Sequence, residues 1–482
     1  MHPTYEVVIG LEVHAQLLTV SKLFCGDATQ FGSDPNSHVS PVTLGHPGTL
    51  PYLNSKAVEL ALRMGLACHC RIERHSYFAR KNYFYPDLPK GYQISQHTTP
   101  ICQGGYVTIQ SEDGTRDIRL TRIHLEEDAG KSIHDRHPAQ TCLDYNRAGT
   151  PLIEIVTEPD LRSADEAFAF LTEVRKVVRW IGVCDGNMEE GSLRCDANIS
   201  IRLHGATELG TRVEVKNLNS IRNVRKAIEV EVARLAVILD KGMQVQQETR
   251  SFNADDDSTF SIRTKEDADD YRYFPEPDLP PFECTETILE AVRSAMPELP
   301  ESLNKRLKAD LGLSAYDAQQ LCEDKELVDY FLHNLPDAAK SKSFANWLLG
   351  PVRSILNERN VSWAQLSVSK DCWSELLELV EGGRIGFSVA SHRILPLMMD
   401  DLMARPGQIA INLDLLQDAG TDDIRQWVEE VIKAMPDKVI EYRKGKKGLI
   451  GLFMGEVKKR SRGKADPRQT NELLLEILNA TT

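Results

Sequence analysis

The chain has 482 residues, too many for one hydrophobic core, so two to four domains of roughly 100–200 residues are expected. Hydrophobic residues make up 41% and charged residues 27%, as in ordinary globular proteins, and the longest apolar runs fall well short of the roughly 20 residues that cross a membrane. The net charge of −14 excludes a uniformly basic nucleic-acid-binding surface, though not a local basic patch.

The opening Met1-His2-Pro3-Thr4-Tyr5-Glu6 lacks the basic and apolar regions of a signal peptide, which makes a cytoplasmic location the expectation. From Val7 to Leu17 the sequence alternates. Ile9, Leu11, Val13, Ala15 and Leu17 share one face, while Gly10, Glu12, His14 and Gln16 share the other. Ten cysteines scattered through so long a chain do not form a disulfide framework. Their one tight cluster, Cys68-His69-Cys70, falls short of a tetrahedral metal site and reads as buried thiols.

Lys81 to Gln96 holds four aromatics, two prolines and two lysines. Such a segment suits a structured loop that stacks and touches phosphate, or one that covers a sheet edge. Ile118 to Leu125 is strand-like and ends in Glu126-Glu127-Asp128, and Glu154 sits inside the apolar run Pro151 to Val156. A helix starts at Ser163, with Glu166 completing a capping box, and stops at Gly182. Leu193 to Leu203 alternates again: Arg194, Asp196, Asn198, Ser200 and Arg202 oppose an apolar face, so one side of its sheet lines a polar surface or cavity. A second helix is expected from about Ser220 to Lys241, and this irregular order of strands and helices indicates an α+β fold.

Pro275, Pro277, Pro280 and Pro281 mark a domain exit, after which the periodicity is helical, with a further break near Ala404-Arg405-Pro406-Gly407. The expected domains are 1–294, 295–404 and 405–482. Between Arg443 and Arg468 stand ten Lys or Arg residues against only Glu456 and Asp466, densest at Lys458, Lys459, Arg460, Arg462 and Lys464. This local reversal of charge suits an RNA backbone, or simply a solvated helix end.

Glu12 and His14 project together, and three carboxylate-bearing strands could converge with one imidazole on a hard cation such as magnesium. The alternative is that each acid pairs with a nearby Arg or Lys. No phosphate-loop, dinucleotide-binding or amidase-nucleophile motif is present.

The stretches Ile9 to His14, Arg80 to Asp87, His124 to Lys131, Gly149 to Glu154, Met188 to Asn198 and Asp270 to Asp278 together resemble the B subunit of the three-subunit Asp/Glu-tRNA amidotransferases. The resemblance spans the first 280 residues or so, thins in the middle helical region and returns at Gly455 to Pro467. No inserted domain interrupts it, as one does in the archaeal relatives, so the bacterial or organellar type is favoured. The resemblance implies a cradle-shaped first domain distantly akin to glutamine synthetase, a helical domain, and a small helical tail that touches tRNA. It implies ATP-dependent transamidation of misacylated Glu-tRNA(Gln), Asp-tRNA(Asn) or both. Ammonia would come from an amidase A subunit, linked to this chain by a small bridging C subunit, with no membrane association.

Magnesium would be held by Glu12, His14, Glu127 and Glu154, with Glu127, Ser192, Arg194 and Asp196 in the chemistry. Lys81, Tyr85, Asn198, Glu214 and Lys216 would meet the nucleotide or the acceptor end. Relatives carry a four-cysteine zinc knuckle where this chain has Cys25, Asp27, Ser40 and Thr43, so no zinc is expected and packing should hold that loop. The competing reading is a non-catalytic tRNA-binding scaffold.

Overall fold

The computed structural model describes residues 4–111, 114–134, 136–264, 271–401, 403–416, 421–461 and 463–479. They form two compact units, Met1–Leu299 and Pro300–Thr482. The first is mixed α+β around a large sheet; among the described residues the second is helical throughout.

Alternation sets the sheet. Its central strands are β1 (Tyr5–Gln16), β2 (Gly114–Glu127), β3 (Pro151–Thr157), β4 (Leu193–Leu203) and β5 (Val213–Leu218). They run in the order β5-β4-β1-β3-β2 within a ten-stranded sheet, each antiparallel to its neighbours here. Ile9, Leu11, Val13, Ala15, Leu125, Ile153, Ile155, Cys195 and Ala197 are buried on one face. Against the sheet pack α1 (Ser55–Ala67), α2 (Ala164–Trp180) and α3 (Ile221–Asp240).

Ser163 caps α2 by accepting from the Glu166 N–H at 3.1 Å, and Ser220 caps α3 through Asn223 in the same way. The apolar stripe of α2, Phe170, Leu171, Val174 and Val178, is fully buried. Each such side chain contributes about 1.5–3 kcal/mol. Gly182 follows with φ +66°, the left-handed conformation that ends a helix at little cost to glycine.

The segment from Lys81 to Gln96, expected as a structured loop or as one covering a sheet edge, is a loop bounded by strands. Ala79–Asn82 pairs with Tyr92–Ser95 and with Phe274–Pro275, and Arg80 holds Glu276 through two hydrogen bonds of 2.6 and 2.8 Å. The proline-rich segment is thereby stitched back to the sheet region. The loop after β1 is held by packing, with Leu23 and Phe24 buried and Phe24 against Phe78, and by polar bonds. Asp27 accepts from the Ser40 N–H (2.8 Å) and the Thr43 hydroxyl (2.5 Å), and Cys25 Sγ lies 3.4 Å from the same hydroxyl. Beneath them the fully buried Lys22 ammonium donates to the carbonyls of His38 and Tyr145. Cys68 is buried and Cys70 half-buried, and burial pushes the Cys70 thiol up to about 12.

In the second unit, Ile424, Val428, Val431, Tyr442, Phe453, Val457, Leu473, Leu474 and Leu478 form a hydrophobic cluster of their own.

Candidate active site

Cross-strand registry builds the site as one row on the polar face of the sheet. His14 on β1 stands opposite Glu154 on β3 and opposite Arg194 on β4; Glu154 in turn stands opposite His124 on β2. Glu126, two residues beyond His124, shares its face.

The side chains meet. His14 Nε2 lies 3.4 Å from Glu154 Oε2 and 3.7 Å from Glu126 Oε1. His124 Nε2 lies 3.5 Å from the same Glu154 oxygen and 3.4 Å from Glu126 Oε2. The donor atoms of His14, Glu126 and Glu154 fall within 4.8 Å of one another, as do those of a second group, Glu12, Asp196 and Glu214. Carboxylates with an imidazole suit a hard divalent cation such as magnesium or manganese. The donor set fits such an ion. The buried His124 Nδ1 has no partner among the described residues.

Charge sharpens the picture. Burial alone would lower the pKa of His14, but the hydrogen bond and charge of Glu154, with the charge of Glu126, hold it at about 9. Burial likewise opposes ionisation of Glu154, yet His124, His14 and Lys81 keep it well below the carboxylate range. Glu12 is pushed up by burial and by the charges of Glu154, Asp196 and Glu214. Lys81 rests over the rings of Tyr271 (4.9 Å) and Tyr83 (5.8 Å). Burial works against its charge, but Glu126 and Glu154 raise its pKa overall, so the ammonium faces the cluster from an aromatic cradle. Tyr273, stacked on His97 at 3.9 Å, extends that wall.

The remaining sequence-derived candidates divide. Glu127 is not brought to the cluster: adjacent residues of a strand point to opposite faces, and its carboxylate turns away to Lys90 (2.5 Å) and the Ile94 N–H (2.8 Å). There it lines a cavity of about 170 Å³ with Lys22, Lys90, Thr43 and Tyr92. Glu126 stands where Glu127 was expected. Asn198 donates to Glu12 at 3.0 Å, and Lys216 reaches Asp196 (2.6 Å) and Glu214 (3.1 Å), so Asn198 and Lys216 border the second acidic group. Arg194 pairs with Asp128 at 2.8 Å. Ser192 donates to Asp185 instead, and Tyr85 is exposed on its loop. His124 is the residue the sequence reading missed, although its place two before Glu126 puts it on the same strand face.

In the second unit, Lys458, Lys459 and Arg460 are exposed in the last turn of the Ile450–Arg460 helix, where cations complement the helix dipole. Lys464 pairs with Asp414 at 3.0 Å; Arg462 lies outside the described residues.

Residues 7–290 match the model of the GatB/GatE catalytic domain, and residues 329–478 match that of the GatB domain. The chain is 48% identical over 481 residues to the B subunit of the aspartyl/glutamyl-tRNA(Asn/Gln) amidotransferase of Geotalea uraniireducens, covering 98% of this chain and 99% of that protein. It is 49% identical to the protein of the same name from Anaeromyxobacter (98% of each chain). With the one from Chlorobium phaeobacteroides identity is 47%, over 99% of this chain and all of the relative.

Proposed function

Because the chain belongs to the GatB family, the B subunits of Asp/Glu-tRNA(Asn/Gln) amidotransferases, we propose that its sheet carries out ATP-dependent activation of the carboxylate of a misacylated tRNA. It is an enzyme subunit with the family's catalytic domain, and the family implies ATP use, a tRNA substrate and an assembly of several subunits. Among the described residues no helix is long and apolar enough to cross a membrane.

The observation that carries the proposal is the row His124–Glu154–His14 with Glu126 beside it. A carboxylate resists ammonia, because its charge repels the nucleophile and oxide is a poor leaving group. Attack of one carboxylate oxygen on the terminal phosphorus of ATP releases ADP and leaves an acyl phosphate; ammonia then displaces phosphate to give the amide. His14, Glu126 and Glu154 would hold one magnesium ion, and Glu12, Asp196 and Glu214 face a second position. Bound there, magnesium neutralises and orients phosphate oxygens. Lys81, carried by aromatic faces, presents a charge to the same space, and Lys216 and Asn198 fix the acids of the second group. The reaction covers Glu-tRNA(Gln), Asp-tRNA(Asn) or both.

The chain lacks an amidase nucleophile motif, so ammonia comes from an amidase A subunit, joined through a small C subunit. Residues 1–294 form the glutamine-synthetase-like cradle, 295–404 the helical domain and 405–482 the tRNA-binding tail, a division supported by the tail's own apolar cluster. A scaffold without catalysis would have no use for acids whose direct contacts are imidazoles, with the Lys81 ammonium facing the same space. The test is ADP release by the assembled enzyme with misacylated tRNA. Glu126→Gln should abolish it, whereas Glu127→Gln, altered on the opposite face, should keep most of it. Normal turnover in a folded Glu126→Gln enzyme would sink the assignment.

A further inference from the structure

We infer that His124 is a positioning residue: from behind Glu126 and Glu154 it fixes the two carboxylates in the orientation in which they bind the divalent cation. The inference rests on the cation site proposed above and adds a part to it.

The contacts close a ring in which acids and imidazoles alternate. His14 touches Glu154, Glu154 touches His124, His124 touches Glu126, and Glu126 touches His14, all at 3.4–3.7 Å. Yet the two histidines are not equivalent. The His14 side chain is 20% exposed and that of His124 only 3%. His14 therefore belongs to the open side of the ring, where a cation can keep water or phosphate oxygens as further ligands. His124 lies at the closed side.

Two facts say what the ring of His124 does there. Its Nε2 faces one oxygen of each carboxylate, and its buried Nδ1 has no partner among the described residues. Buried polar side-chain atoms are normally partnered, so the ring's orientation is fixed only by the acids it faces. The relation is reciprocal. Among the described residues the Glu154 carboxylate has no ion-pair or hydrogen-bond contact other than those with the two imidazoles, and Glu126 has in addition only the Ser95 hydroxyl at 3.2 Å. Removing His124 leaves both carboxylates free to rotate and their charges less well separated. Partners of this kind, which orient a ligand without touching the metal, are worth about 10–100-fold in metal affinity.

The experiment is a titration of the full-length chain with Mn²⁺ alone, following free Mn²⁺ by electron paramagnetic resonance. Wild type, Glu126→Gln, His124→Leu and His124→Gln are compared. The binding class that disappears in Glu126→Gln defines the site; its absence from wild type would overturn the cation site itself. Given that class, His124→Leu should weaken it about 10–100-fold with circular dichroism and melting temperature near wild type. His124→Gln, whose amide N–H takes the place of Nε2–H, should restore most of the affinity. Full affinity in His124→Leu refutes the inference while leaving the site intact. The nitrogen couplings of bound Mn²⁺ give a second readout. One imidazole nitrogen, lost on His14→Ala and kept in His124→Gln, fits a positioning role; a second nitrogen that vanishes with His124 would make it a ligand and overturn the proposal.

Discussion

Replacing Arg194 by Met tests whether the end of the row is a structural ion pair. Arg194 Nη2 lies 2.8 Å from Asp128 Oδ2, and the Asp128 side chain is only 4% exposed. Methionine keeps much of the stem's volume but removes the charge, leaving a buried carboxylate with less compensation. Removing one partner of a buried pair costs about 3–5 kcal/mol. Asp128 retains the Gln16 amide at 2.7 Å, its hydrogen bond from the Ala129 N–H at 2.9 Å, and Arg147 at 3.7 Å, so the low end applies. A unit of about 300 residues has an unfolding entropy near 0.6 kcal/mol/K, so a loss of about 3 kcal/mol lowers the melting temperature by about 5 °C. Scanning calorimetry of the full chain measures it. The Asp128→Asn/Arg194→Met double variant should recover at least half the loss, because neither charge is then stranded. A shift under about 1 °C in the single variant would refute the argument.

Two further outcomes follow from other parts of the chain. Changing Lys458, Lys459, Arg460 and Arg462 to Gln should weaken tRNA binding and flatten the slope of log affinity against log salt by up to about one unit for each phosphate left unbound, with turnover at saturating tRNA unchanged; filter binding at several salt concentrations checks it. Asp27 is pushed up by burial but held below the ordinary aspartate value overall by its bonds to Thr43, Ser40 and Cys25. A depressed folded-state pKa gives stability that is present above the unfolded value and lost as pH falls through the folded one. Asp27→Asn should therefore cost about 1.5–3 kcal/mol at neutral pH and flatten this part of the acid dependence in urea titrations.

Much of the sheet was legible because a strand with one buried face has period two. The alternation of Leu193 to Leu203 predicted the side to which Arg194, Asp196 and Asn198 project, and the two capped helices fell within a residue or two of their observed ends. Lys22 was not legible: a lysine reads as surface, and only the folded loop shows its ammonium closed in by carbonyls.

The choice between Glu126 and Glu127 shows where reading by alternation breaks down. Along β2 the buried apolar positions are Ile118 and Leu120, then Ile123 and Leu125. The first pair has even parity and the second odd, so the strand changes phase between them. The structure contains the cause: Arg122 stands opposite Val156, but Leu120 stands opposite Thr157, so one residue of β2 is skipped. Read from Ile118 and Leu120, the phase puts Glu127 on the polar face, in agreement with the residue the family resemblance names. Read from Ile123 and Leu125, the nearer pair, it puts His124 and Glu126 there. The second phase is the correct one, because parity carries only as far as the last irregularity. A bulge of one residue thus decides which carboxylate meets His14, and it does so through a pairing between strands that the sequence of β2 alone does not contain.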